Sequence, residues 1–183
     1  MASFTERMLG AAKLDVRTYE EVEADQNATG QAMAVVVLAS VAAGIGQIGQ
    51  SGIFGLIAGA IVALIGWFIW AFLTYIIGTK FLPEPQTRSD MGELLRTIGF
   101  ASSPGLLRVL GAIPGIGPLI SLAIAIWMLV AFVIAVRQAL DYRSTGRAVL
   151  VCVVGFVVYL VSMVFLVSIL AALFGFGAAA VSG

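Results

Sequence analysis

Residues 93–112 read ELLRTIGFASSPGLLRVLGA, and whether this stretch crosses a membrane decides the fold. It is apolar over most of its length, yet it carries Arg96, Arg108 and a central Pro104. Around it, charged islands alternate with apolar runs of about 20 residues. At 1.5 Å rise per residue such runs match a hydrocarbon slab of about 30 Å. Hydrophobic residues make up 61% of the chain and charged residues 11%, too few to give these runs a polar face. In lipid the backbone must satisfy its own hydrogen bonds, so the runs are read as membrane helices. This is an all-α integral membrane protein.

Four runs are clear, at 31–49, 53–79, 118–138 and 148–174. The second exceeds what the slab needs, so Trp70 and Tyr75 are read as an interfacial anchor, with 76–82 emerging from the membrane. Pro83 and Pro85 bar any continuation of that helix.

Cytoplasmic loops carry an excess of Lys and Arg, and that rule decides 93–112. If the stretch stays outside the membrane, Arg137, Arg143 and Arg147 fall opposite Lys80 and Arg88. If it crosses, Arg7, Lys13, Arg17, Lys80, Arg88, Arg96, Arg137, Arg143 and Arg147 share one side, nine of the ten basic residues. The sequence therefore predicts five transmembrane helices, N-terminus inside and C-terminus outside. Residues 1–29 form a cytoplasmic N-terminal segment and 30–183 a five-helix transmembrane domain. The turns at 47–52 and 113–117 and the tail after 174 carry no charge and lie outside.

In the N-terminal segment, Phe4, Met8, Leu9 and Leu14 suit either a short surface helix or a loosely ordered tail. Asp25, Asn27 and Thr29 offer helix N-cap chemistry before the first span. The segment holds six acids against three bases, and residues 137–147 hold three Arg against one Asp. The acidic segment is expected to dock over Arg143 and Arg147 through weak, salt-screened pairs.

Composition removes several function classes. The chain has no His, the usual metal ligand and proton shuttle. Its formal net charge is zero, which gives no field to attract nucleic acid. Cys152, the only Cys, cannot form a disulfide within the chain and reads as a small packing residue. The first apolar run starts too far from the N-terminus for a cleaved signal. No metalloprotease, nucleophile-elbow or phosphate-loop pattern is present. No enzyme, metal or cofactor is expected.

A few residues stand out. Gly55, Gly59 and Ala63 recur every four positions and read as a helix-packing stripe, within the chain or between two copies. Pro104, after Ser102 and Ser103, should kink the third span and free backbone carbonyls. Arg108 lies near the outer end of that span with every acid assigned inside. An unpaired guanidinium in hydrocarbon costs at least about 2.5–3.5 kcal/mol. It can snorkel to lipid phosphate, donate to carbonyls of the 114–118 turn, or hold an anionic ligand. Arg137 and Asp141 are one helical turn apart and can pair. Trp127 falls mid-span and is expected against other helices.

Three stretches resemble the Yip family, the Ypt/Rab-interacting membrane proteins, and most closely its bacterial branch. They are TYEEVEADQNATGQA at 18–32, LLRTIGFASSPGLLRVLGAIPGIGPL at 94–119 and IWMLVAFVIAVRQALDYRSTGRAV at 126–149. The resemblance implies a Yip-like domain of five spans and placement in a bacterial inner membrane. Eukaryotic members act with small GTPases through their cytosolic side. Their Asp-Leu-Tyr-Gly-Pro motif is absent here and the N-terminal segment is short, so GTPase binding is not carried over. The expected function is non-enzymatic, organising or assisting other membrane components through the cytoplasmic face. Its partners are membrane lipids and either another membrane protein or a second copy. The alternatives are a small-molecule or lipid transporter, lined by Pro104, Arg108 and the two serines, or an accessory subunit of a larger complex.

Overall fold

The computed structural model describes residues 2–46 and 52–174. The 47–51 part of the uncharged turn and the tail after 174 lie outside the described residues. Within these described residues seven α-helices follow in order: α1 (Phe4–Ala12), α2 (Val16–Ala24), α3 (Thr29–Gly46), α4 (Gly52–Ile76), α5 (Met91–Ala101), α6 (Gly117–Ala139) and α7 (Thr145–Phe174). A short 3₁₀ turn, Gln26–Ala28, precedes α3, and a 3₁₀ segment, Ser103–Ala112, follows α5.

Among the described residues four helical stretches are long and apolar enough to cross a membrane: Gln26–Gly46, Phe54–Phe81, Gly117–Ala139 and Thr145–Ser162. Their outward residues are large and apolar, among them Phe54, Ile61, Leu119, Leu129, Val153 and Phe156. That is the surface of a protein whose solvent is hydrocarbon.

The 93–112 stretch is not a fifth long helix. It is divided into α5 and the 3₁₀ segment, and the break falls at Ser102–Ser103. It nevertheless runs the length of α3 and in the same direction. Gly99 faces Ala32, Gly105 faces Ala39, and Gly46 meets the Arg108 backbone. From Ala32 to Gly46 is about 21 Å along the helix. A Cβ added to Gly99 would lie 2.7 Å from that of Ala32, and one on Gly105 would lie 3.1 Å from that of Ala39. Small residues spaced by seven on α3 thus let two backbones come close, without side chains between them. α6 packs antiparallel on the same segment, with Ser121 at Gly111 and Met128 at Gly105.

The N-terminal segment is neither a free tail nor a lone surface helix. α1 and α2 form a hairpin packed on α5 and α6, with Ala11, Tyr19 and Val22 fully buried. Phe4 meets Phe100 edge-on at 6.4 Å. Asp25 supplies the expected cap, its carboxylate accepting from the Asn27 N–H at 3.0 Å.

The long second run is helical through Ile76 and then opens into a π-helical turn, Ile77–Phe81, before the chain leaves at Leu82. Such a turn leaves carbonyls without their usual partners. The buried Tyr142 hydroxyl shares its proton between one of them, Gly78 at 2.9 Å, and the Leu82 carbonyl just beyond the turn at 2.7 Å.

Candidate functional site: a cavity at Arg108 and a clamped charged end

Pro104 has no N–H to give Phe100, four residues back. The Ser103 hydroxyl donates to that carbonyl instead, at 2.6 Å. Ser102 donates toward Ile98 at 3.5 Å. Both serines and Pro104 are buried, so the freed carbonyls are bonded inside the protein. The break then turns the chain into a 3₁₀ segment, and this carries Arg108 into the wall of a cavity.

That cavity has a volume of about 540 Å³ and lies between α3, α4, the 3₁₀ segment, α6 and α7. Arg108 and Ser102 both line it, with Val36, Leu56 and Met128 among the apolar walls. Along α4 the wall is Gly55, Gly59, Ala63 and Gly66. The small-residue stripe read from the sequence therefore borders open space. A Cβ on Gly59 or Gly66 would meet nothing within 4 Å. The close helix approach belongs to Ala32, Ala39 and Gly46 on α3.

Trp70, expected at a membrane interface, stands in the cavity wall, edge-on to Tyr159 at 6.4 Å. Its indole N–H is buried without a partner among the described residues. Trp67, next along the wall, donates to the Leu95 carbonyl at 3.0 Å. Arg108 makes no hydrogen bond or ion pair among the described residues, and the carbonyls of the 114–118 turn do not receive it.

Trp127, midway along α6, faces the N-terminal hairpin. Its indole donates to the Ala12 carbonyl at 2.8 Å, so the hairpin tip reaches the middle of that helix. The polar edge of a mid-helix Trp is satisfied by α1 rather than by another long helix.

The opposite end of the bundle holds the ion pairs of Arg7 and Arg147. Arg7 is 2% exposed and joins three elements. It pairs with Glu21 at 3.0 Å and Asp25 at 2.8 Å, and donates to Gln31 at 3.1 Å. These contacts hold both Glu21 and Asp25 below the ordinary carboxylate range. For Glu21 the largest cause is the Ala2 backbone N–H, followed by Arg7; for Asp25 it is Arg7 itself. Arg96 reaches from α5 to the C-terminus of α2, donating to the Val22 and Glu23 carbonyls at 3.0 Å. A guanidinium there bonds the last carbonyls and complements the helix dipole.

The acidic segment does not dock over Arg143 and Arg147. Two of its carboxylates, Glu21 and Asp25, are taken by Arg7, and Glu20 accepts from Gln138 at 3.3 Å. Glu84, from the 82–90 loop, meets that basic turn instead. It accepts from the Arg143 backbone N–H at 3.1 Å and lies 3.7 Å from Arg147. These contacts, the Arg143 N–H first, lower its carboxyl below the usual range. Arg147 also donates to the Pro83 carbonyl at 2.7 Å. A second, shallower crevice is lined here by Glu84, Pro85, Gln86, Arg143 and Arg147.

Arg137 does not pair with Asp141. The chain turns at Asp141, whose φ is +52°, and this takes its side chain off the helical face. Arg137 instead bonds the carbonyls of Tyr142 at 3.2 Å and Arg143 at 3.4 Å, closing the end of α6.

Glu23 is the one acid pushed strongly upward, to about 7. Burial is the main cause, and the nearby Glu93 and Asp141 add to it against the opposing pull of Arg96. The roles of Arg7 and Arg96 were not read from the sequence. The spacing of Glu21 and Asp25, one helical turn apart, was the available sign that a cation would sit between them.

Fold and site together define an all-helical, multi-pass membrane protein. Residues 16–166 match the Yip1 domain, and the chain belongs to that family. No curated protein and no solved structure matches the chain.

Proposed function

We propose that this protein is a five-span, non-enzymatic component of a bacterial inner membrane, and that it organises or assists other membrane components through a cytoplasmic charged end. The observation that carries the reading is the clamping of the N-terminal hairpin by Arg7 and Arg96, which holds the charged end in one shape. A preformed surface loses little entropy when a partner binds. On this surface the crevice between Glu84 and Arg147 offers both signs of charge to one. The parallel course of α3 and the 93–112 stretch supports a fifth crossing, which sets the termini on opposite sides, and the positive-inside bias favours the N-terminus inside and the C-terminus outside.

A gentle-detergent pull-down with mass spectrometry tests the reading. A stoichiometric membrane-protein partner, lost in Arg143→Glu/Arg147→Glu, is the expected result, whether that partner is assisted or this chain is its accessory subunit. Recovery of the chain alone would overturn it. The Arg108 cavity favours a second reading, a small-molecule or lipid transporter, because broken helices beside a polar group can mark transport sites.

A further inference from the structure

We propose that the Arg108 cavity is a slot for one anionic phospholipid, with the phosphate on Arg108 and an acyl chain along the glycine stripe of α4. The inference rests on the reading that 93–112 crosses the membrane, because that places Arg108 in lipid.

Charge is the first argument. Arg108 is half-buried and lines the cavity without a hydrogen bond or ion pair among the described residues. Unmatched in hydrocarbon, a guanidinium is costly, and an anion brought to it removes that cost. The planar fork of Arg suits phosphate, which it can grip through two parallel bonds.

Among the described residues the protein supplies no substitute for that anion. Arg108 sits at the α3 terminus marked by Gly46, while Glu21, Asp25, Glu84 and Glu93 gather at the other end with Arg7, Arg96 and Arg147. A second copy in the same membrane orientation has the same arrangement and brings no carboxylate to Arg108. The charge thus favours a lipid over a dimer partner.

Shape is the second argument. From Gly55 to Trp70 the α4 wall is about 22 Å long. One leaflet of hydrocarbon is about 15 Å deep, half of the slab. The slot therefore has length for a whole acyl chain below a headgroup held at Arg108. Its volume of about 540 Å³ is within the range of small-molecule pockets. Gly59 and Val62 line the cavity and are themselves exposed, so the slot opens sideways. A lipid can enter from the bilayer without passing through water. The broken helix matters here because the Ser103–Pro104 turn rotates Arg108 to the slot.

Two variants separate the parts of the claim. Arg108→Gln removes the charge. Gly59→Leu puts a side chain into the slot at a position where the protein leaves room for one. Purified full-length protein is reconstituted in phosphatidylcholine nanodiscs with and without phosphatidylglycerol, and bound lipid is counted by native mass spectrometry. Wild type should retain one phosphatidylglycerol, and each variant should retain it about tenfold less well. Helical content and monodispersity should be unchanged in Gly59→Leu, so that variant decides if Arg108→Gln fails to fold. Delipidated wild type should gain thermal stability with phosphatidylglycerol and none with millimolar inorganic phosphate. Stabilisation by inorganic phosphate would mean a bare anion site and overturn the lipid assignment. Equal retention in all three proteins, or retention lost only in Arg108→Gln, would also overturn the slot. A pull-down without partners leaves these lipid counts unaffected, so the two readings fail separately.

Discussion

The Ser103 hydroxyl stands 2.6 Å from the Phe100 carbonyl, in the place where residue 104 would have put its N–H had it not been proline. The bond is buried, and its loss leaves the carbonyl only the backbone N–H of Ser102 in an apolar setting. Ser103→Ala should therefore destabilise the protein by about 1–2 kcal/mol, with Ser103→Thr close to wild type. Ser103→Ala/Pro104→Ala restores an N–H at position 104 and should recover most of the loss. Thermal unfolding in detergent reads all three. A double variant no more stable than Ser103→Ala would show that the hydroxyl does not stand in for the missing N–H.

The seam between α3 and α5 should be intolerant of a methyl group. Gly99→Ala brings a Cβ to 2.7 Å from that of Ala32 and is expected to cost about 1–3 kcal/mol by overpacking. Gly59→Ala meets nothing within 4 Å and should be neutral or stabilising by up to about 1 kcal/mol from helix propensity. Comparing their unfolding temperatures checks both. Equal effects would mean the seam is no closer than the cavity wall.

These two glycines also show what the sequence could and could not disclose. The four long helices were legible, because length and apolarity are properties of a segment alone. So was the break at Pro104, which follows from a missing donor. What the small-residue stripe faces within the chain was not, because Gly55, Gly59 and Ala63 mark a smooth helical face without naming what lies opposite. The face opposite is a cavity, while the close contact is made by Ala32, Ala39 and Gly46, whose seven-residue spacing is inconspicuous among the chain's 21 glycines and many alanines. Charge gave a similar result. Its clustering in islands was readable, but its pairing was not. Glu84 rather than the N-terminal acids met Arg147, because only the folded chain sets distances between islands.

Docking of α2 should weaken as pH rises. The folded protein raises Glu23 to about 7 from an ordinary 4.5, chiefly by burial. The docked state thus favours the protonated acid. Its contribution is fully present below the unfolded value and is lost as pH climbs through about 7. Glu21 and Asp25 are shifted the other way, so their pairs with Arg7 fail only in acid below the usual carboxylate range. Between pH 5.5 and 8 the Glu23 effect should dominate. Amide hydrogen exchange across 16–24, corrected for intrinsic rates, should be slower at pH 5.5 than at pH 8. Glu23→Gln should remove that difference, and a pH effect persisting in this variant would assign it to another group.

The fifth crossing has a direct test. α5 and the 3₁₀ segment together follow α3 from Ala32 to Gly46, so the residues before and after them should face opposite sides. Ser89 precedes α5, Ile116 lies just before α6, and Ser144 follows α6. Single-Cys variants at each position, in a Cys152→Ala background, should react with an impermeant thiol reagent from two different sides. Ser89→Cys and Ser144→Cys should label together from the cytoplasmic side, where positive-inside bias places Arg88, Arg143 and Arg147. Ile116→Cys, half exposed at the uncharged turn, should label from the other side. Pairing of Ile116 with Ser89 would mean that the divided segment returns to the side from which it entered. Arg108 would then lie on the same side as the acids, and the single-sided distribution of charge would have to be explained without a fifth span.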